Sequence, residues 1–153
     1  MRILMVCLGN ICRSPLAHGI LEHKVRDRGL DWTVDSCGTS GYHAGGPADP
    51  RSMDIAEKNG IDISQQRSRR FIPVDFERFD RIYVMDSSNY QNVMRQAVNE
   101  EEKAKVELIM NEVTPGRNIA VPDPYYGEFG FENVYQMLDH ATDAILTRFS
   151  EAD

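Results

Sequence analysis

Apolar residues along this chain follow two rhythms, short unbroken runs and longer stripes at helical spacing, and the two alternate. The run Ile3-Leu4-Met5-Val6 is short and branched enough to be a buried strand. Behind it Leu16, Ile20, Leu21 and Val25 recur at helical spacing. Ser14-Pro15 marks the start of that helix, with Pro at the first helical position, and Gly29 marks its stop. Trp32 to Cys37 reads as a second strand, followed by a glycine-rich loop from Gly38 to Gly46. Asp49-Pro50 caps a short helix carrying Met53, Ile55 and Ala56, ended by Gly60. Phe71 to Phe79 is a connection with an amphipathic turn, and Asp80 to Met85 is the third strand. Asp86 ends that strand and caps a helix from Ser87 to about Val98. The charged stretch Asn99 to Lys103 reads as a solvated turn, and Lys105 to Met110 as the fourth strand. A last helix covers Glu128 to Phe149, with Val134, Met137, Leu138, Ala141, Ile145 and Phe149 on one apolar stripe.

Strands that alternate with helices imply the α/β class, a parallel sheet with helices on both faces. A length of 153 residues predicts one domain across 1–153, with no internal repeat. A formal charge of −7 argues against nucleic acid as a partner. The three cysteines do not make a disulfide framework, and none stands at metal-ligand spacing with the four histidines. Neither a metal nor a cofactor is therefore expected, and reduced thiols predict a cytoplasmic setting. Met1-Arg2 runs straight into the first strand, which leaves no room for a signal peptide, and no membrane span is expected.

The chemistry concentrates in Cys7-Leu8-Gly9-Asn10-Ile11-Cys12-Arg13-Ser14, between the first strand and the first helix. Backbone N–H groups at a helix mouth, together with the positive end of the helix dipole, bind anions. Cys7 opens the stretch and Arg13 closes it, with five residues between. Thiolate is the nucleophilic form of cysteine, and the helix terminus, the inward N–H groups and Arg13 all favour it. A guanidinium can hold two phosphoryl oxygens at once, which lysine cannot. Gly9 and Asn10 are suited to left-handed dihedrals in a curled loop, and the Ser14 hydroxyl can donate to the sulfur. Taken alone, a cysteine five residues before an arginine is also what a buried cysteine at a strand end beside a surface arginine would give.

The segment Val6 to Pro15 resembles the signature of the low-molecular-weight protein tyrosine phosphatases. The similarity continues through Asp35-Ser-Cys-Gly-Thr39, Pro47-Ala-Asp-Pro-Arg51, Val84-Met-Asp86 and Asp123-Pro-Tyr-Tyr126. It implies strand order 2-1-3-4 with the loop at the carboxyl edge of the sheet. It also implies hydrolysis of phosphotyrosine in protein substrates through a phosphocysteine on Cys7, with Arg13 and the loop amides on the phosphate. Expelling a phenolate, whose conjugate acid has a pKa of about 10, calls for a general acid worth roughly 10²–10⁴-fold. Asp123, held between two prolines, matches the family's acid, although Pro-Asp-Pro by itself is only a turn. Tyr42 and Tyr125 match aromatics that wall the cleft, with His43 beside Tyr42 as the neighbouring candidate. Asp86 matches an aspartate that braces the loop, a position that helix capping explains equally well. Gln66 stands where the family often has a histidine bonded to the loop asparagine.

Arg67, Arg69 and Arg70 form a basic cluster, read as a solvated face or as an attractor for acidic residues flanking a substrate. Cys37 reads as a small core residue. Cys12 either fills space in the loop or, as in members with both cysteines, resolves an oxidised Cys7 as a disulfide. The resemblance also implies a monomer or weak dimer. Three rivals stand beside this reading. An arsenate reductase of this fold needs further cysteines, and none lies past Cys37. A protein-arginine phosphatase has threonine where Ile11 stands. A phosphotyrosine-binding module would lack catalysis, whereas Cys7, Arg13 and Asp123 are all present.

Overall fold

The unbroken apolar run behind Met1-Arg2 becomes an interior strand of the sheet. The computed structural model describes residues 1–126 and 130–150, and in it β1 (Arg2–Cys7) pairs in parallel with β2 (Thr33–Gly38) on one side and β3 (Arg81–Val84) on the other. β4 (Val106–Leu108) extends the sheet beyond β3, giving the order β2-β1-β3-β4. With neighbours on both edges and helices on both faces, β1 has every residue from Ile3 to Cys7 buried, so it cannot alternate polar with apolar. Its side chains still divide by the period of two. Ile3, Met5 and Cys7 join one apolar cluster with Tyr83 and Met85, while Leu4 and Val6 join a second with Ile82, Val84, Phe71, Phe76 and Phe79.

The helices are α1 (Arg13–Asp27), α2 (Pro50–Lys58), α3 (Asp75–Arg78), α4 (Ser87–Gln96), α5 (Glu100–Ala104) and α6 (Gly130–Ser150), with short 3₁₀ turns at Ile109–Glu112 and Pro124–Tyr126. α1 and α6 share the first cluster through Leu16, Ile20, Val134, Leu138 and Ile145. Lys24 clips them together by reaching Asp139 at 2.7 Å and Asp143 at 2.9 Å. α1 ends as its sequence indicates, with Gly29 at φ +63° in the left-handed region, where a side chain would be strained.

Several boundaries move. α1 begins at Arg13, so Pro15 is the third helical residue rather than the first. No helical acceptor exists for the first four N–H groups, so Pro is tolerated there. The stretch Asn99–Lys103 is not a plain turn: the Asn99 side chain accepts from the Glu102 N–H and Glu102 accepts from the Val98 N–H, and this reciprocal cap starts α5. The same cap ends α4 at Gln96, short of Val98. β4 covers only Val106–Leu108 because the chain turns into a 3₁₀ helix at Ile109. The connection Phe71–Phe79 contains α3. Glu128, the expected start of the last helix, lies outside the described residues, and α6 is described from Gly130.

No helix among the described residues is long and apolar enough to cross a membrane.

Candidate active site

β1 delivers Cys7 to the carboxyl edge of the sheet, opposite Gly38 of β2. A Cβ on Gly38 would lie 2.7 Å from the Leu8 carbonyl oxygen and 3.1 Å from the Asn10 nitrogen, so only glycine lets the loop curl this close. From there the loop turns its carbonyls outward, where neighbours hold them. The Cys7 and Leu8 oxygens accept from the N–H groups of Thr39 and Ser40, and Ile11 accepts from Asp49 at 2.8 Å. Gly9 accepts from the Ser68 hydroxyl and Cys12 from the Ser52 hydroxyl. Among the described residues, no protein acceptor takes the N–H groups of residues 9–12. A ring of donors at the mouth of α1 is thus left for an anion, in the manner expected of a helix terminus.

Asn10 takes the left-handed turn, with φ 56°. Gly9 does not have a positive φ; its smallness instead admits His43, whose Cδ2 would lie 3.1 Å from an added Cβ. The Asn10 amide is bonded at both ends. It donates to the Ser14 hydroxyl at 2.8 Å and accepts from the Arg69 N–H at 3.1 Å. Gln66 does not reach Asn10 and donates instead to the Pro15 carbonyl. The Ser14 oxygen lies 3.0 Å from the Cys7 sulfur and 3.3 Å from the Cys37 carbonyl. Asn10 already donates to this oxygen, so its one proton has two acceptors to serve, the Cys37 carbonyl at 3.3 Å and, nearer at 3.0 Å, a Cys7 thiolate, which can only accept.

Arg13 is buried and held by the protein's own acceptors. Its Nη1 donates to Asp86 at 2.8 Å and to the Val121 carbonyl at 2.9 Å. The two readings of Asp86 are both realised, one on each oxygen: Oδ2 holds Arg13 while Oδ1 accepts from the Asn89 N–H and caps α4. Val121 is in turn tied to the end of β3 through the Met85 carbonyl. Two residues on, Asp123 approaches the other guanidinium nitrogen at 3.9 Å and accepts from the Tyr125 N–H at 3.0 Å.

Cys7, Leu8, Ile11, Cys12, Arg13, Asp123, Tyr42 and Tyr125 line one cavity of about 400 Å³, together with Gly9, Ser40 and His43. Asn10 and Ser14 stand behind the loop rather than in the cavity. Tyr42 is 88% exposed on the rim, its ring edge-on to His43. Ser40 carries no signal in the chain itself and enters because its N–H pairs with Leu8. Burial first, and then the nearby Asp49, Cys7 and Asp123, push the Cys12 thiol up to about 12. Cys37 is fully buried and lies off the cavity, as a core residue would. Arg69 is not part of a solvated face. It pairs with Asp35 at 3.0 Å and with Asp75 at 3.1 Å. Among the described residues, no cluster of histidine, cysteine or carboxylate side chains is arranged to hold a metal.

A thiol at the end of an interior strand, a prepositioned guanidinium and a carboxylate across one cavity can together attack, hold and protonate a phosphate monoester. This fold with this loop defines a cysteine-dependent phosphatase. The family model for low molecular weight phosphotyrosine protein phosphatase matches residues 2–152, and the chain belongs to that family. A member from Schizosaccharomyces pombe is 42% identical over 143 residues, covering 90% of each chain. The crystal structure of a protein tyrosine phosphatase from Entamoeba histolytica matches with a TM-score of 0.92 at 34% identity, over 99% of this chain and 98% of that one. A Drosophila arginine phosphatase matches with a TM-score of 0.91 at 30% identity over the whole of both chains.

Proposed function

We propose that the chain hydrolyses phosphotyrosine in protein substrates through a phosphocysteine intermediate on Cys7. The observation that carries this reading is the convergence of the Cys7 sulfur, the Arg13 guanidinium and the Asp123 carboxyl on one cavity. The thiolate attacks phosphorus in line, the S–P bond forms and the P–O bond to the phenol breaks. Asp123 gives its proton to the departing phenolic oxygen. The same carboxylate then takes a proton from water as that water attacks the phosphocysteine, releasing phosphate and the thiolate. Ser14 donates to the sulfur whenever it carries charge, and the loop N–H groups with Arg13 hold the three non-bridging oxygens. Cys7 is only 3% exposed at the floor, while Tyr42 and Tyr125 stand at the rim. A long aryl ester spans that depth and stacks on the aromatics, and phosphoserine is too short to do so.

In the experiment that tests this, Cys7→Ser abolishes turnover but retains phosphate or vanadate binding. Asp123→Ala lowers kcat strongly for poor phenolic leaving groups and much less for activated ones. Equal losses across the leaving-group series would remove Asp123 as the acid. The likeness to the Drosophila arginine phosphatase makes phosphoarginine the second substrate to assay. Ile11, in the cavity wall, favours the aryl ester, so Ile11→Thr raises phosphoarginine hydrolysis relative to phosphotyrosine. Wild-type activity greater on phosphoarginine would reverse the assignment.

The cavity also holds Cys12 beside Cys7, both as free thiols. We include in this reading a reversible oxidation. Peroxide converts Cys7 to a sulfenic acid, Cys12 attacks that sulfur, the S–O bond breaks with loss of water, and a thiol reductant reopens the disulfide. A nucleophile of this kind requires reducing surroundings, which supports a cytoplasmic setting. The chain is taken to act as a monomer or weak dimer.

A further inference from the structure

Asp123 sits on an exposed loop, yet a general acid must be held to within a fraction of an ångström of the leaving oxygen. What holds it is visible on the neighbouring helix. Arg51, in the first turn of α2, donates from Nη1 to the Tyr125 carbonyl at 3.0 Å. Its Nε and Nη2 engage the two carboxylate oxygens of Asp49, each at 3.0 Å. Its guanidinium carbon lies 5.2 Å from the centre of the Tyr125 ring and 4.7 Å from that of Phe131, within cation–π range of both. One side chain therefore grips the chain at Tyr125, two residues after the acid, and again at Phe131 in the first turn of α6.

The other end of this grip is the phosphate loop. The Asp49 N–H donates to the Ile11 carbonyl at 2.8 Å, and Ser52 of the same turn donates to the Cys12 carbonyl. A bonded path thus leads from Ile11 through Asp49 and Arg51 to Tyr125, whose N–H is bonded to Asp123. Partial burial acts to raise the Asp49 carboxyl, but hydrogen bonds from Arg51 outweigh it and hold the group below its usual range, so the pair is ionised at neutral pH. A lysine at position 51 can meet Asp49 but lacks the planar fork needed to serve the carboxylate and the carbonyl together.

We propose that Arg51 is a positioning residue that clamps the loop bearing Asp123 to the phosphate loop, so that proton donation and phosphate binding are set in one register. The inference rests on the general-acid reading of Asp123. It implies that losing Arg51 costs activity in proportion to how much the leaving group needs a proton. A general acid is worth roughly 10²–10⁴-fold, and a misplaced one loses a large part of that.

The test compares wild type, Arg51→Met, Arg51→Lys, Asp49→Asn and Asp123→Ala on a series of aryl phosphates from activated to unactivated phenols. Inorganic phosphate inhibition is measured alongside, and thermal melting checks the fold. Arg51→Met is expected to lower kcat about ten- to a hundredfold on the poorest leaving group and less than about threefold on the most activated one. KM and the inhibition constant for phosphate stay within about threefold, Arg51→Lys recovers only part of the loss, and Asp49→Asn follows Arg51→Met more weakly. In the Asp123→Ala background, Arg51→Met adds little, because the acid it positions is gone. A leaving-group dependence in Asp123→Ala but none in Arg51→Met, or full rescue by lysine, overturns the clamp and leaves the acid in place. A flat series in Asp123→Ala overturns the acid reading itself. Loss through KM and phosphate affinity alone overturns the clamp in favour of a direct electrostatic contribution to binding. Should Arg51→Met melt below the assay temperature, Asp49→Asn decides the question on the same leaving-group criterion.

Discussion

Single residues in this site serve two neighbours at once, and that economy makes their substitutions informative. Asn10 combines a left-handed backbone with a side chain bonded to Ser14 and to the Arg69 N–H, so neither glycine nor aspartate replaces all of it. Cys12 offers the sharpest residue-scale prediction. Its thiol is pushed up to about 12, chiefly by burial, so at neutral pH it is almost wholly protonated. Disulfide formation needs the thiolate, whose fraction below that value grows about tenfold per pH unit. Resolution of oxidised Cys7 is therefore expected to be slow at pH 7 and to quicken steeply toward pH 9, as followed by mass spectrometry of quenched samples. Cys12→Ser keeps most activity but recovers poorly with thiols after peroxide. Equal recovery in that variant, or a Cys7–Cys37 linkage, would exclude Cys12 as the resolving thiol.

Among the elements, what could be read in advance was what contiguous sequence encodes. The phosphate loop spans eight consecutive residues between a strand and a helix, so its place in the chain is open to inspection, but not its turn: Gly9 and Asn10 both suit a left-handed dihedral, and only Asn10 takes one. β1 was legible because burial on both faces leaves an unbroken apolar run, and α6 because a long apolar stripe at helical period seldom arises except on a packed helix. Arg69 was not legible, since its partners Asp35 and Asp75 come from β2 and the start of α3 and meet only after folding. Arg51 gives no sign of its contacts for the same reason, since they are split between its own helix turn and residues 125 and 131. α5 is hidden in the sequence because its charges look solvated, and only the reciprocal bonds of Asn99 and Glu102 reveal a cap. A prediction belongs to this scale. Asp75 is fully buried, and Arg69→Met leaves its carboxylate without its cation, at a cost of about 3 kcal/mol. Urea unfolding measures this, and adding Asp75→Asn to the variant is expected to restore part of the loss. A variant as stable as wild type would mean that solvent replaces the pair.

For the whole molecule, charge and chemistry pull in opposite directions. The chain carries −7, and on the proposed reading its attraction for a dianionic substrate is confined to the loop amides and Arg13. Beyond a Debye length of about 8 Å at physiological salt that local field fades, and at low salt the net charge dominates the approach. Phosphopeptides rich in aspartate and glutamate are therefore expected to show a lower kcat/KM than neutral ones at about 10–20 mM salt, where screening is weak, with the gap narrowing as salt is raised. A gap that widens with salt would point instead to an attractive basic rim, with Arg67 and Arg70 as its exposed members.

Cys7 closes an interior strand, whereas Asp123 rides on an exposed loop held from outside. The two halves of the proposed reaction therefore belong to regions of different local stability, since core strands open only when the whole molecule does. In rising denaturant the loop is expected to give way first. With Cys7 as nucleophile and Asp123 as acid and base, as proposed, the enzyme is then expected to pass through a window in which it still captures phosphoryl groups from activated esters but no longer releases them at speed, becoming for that interval a trap rather than a catalyst.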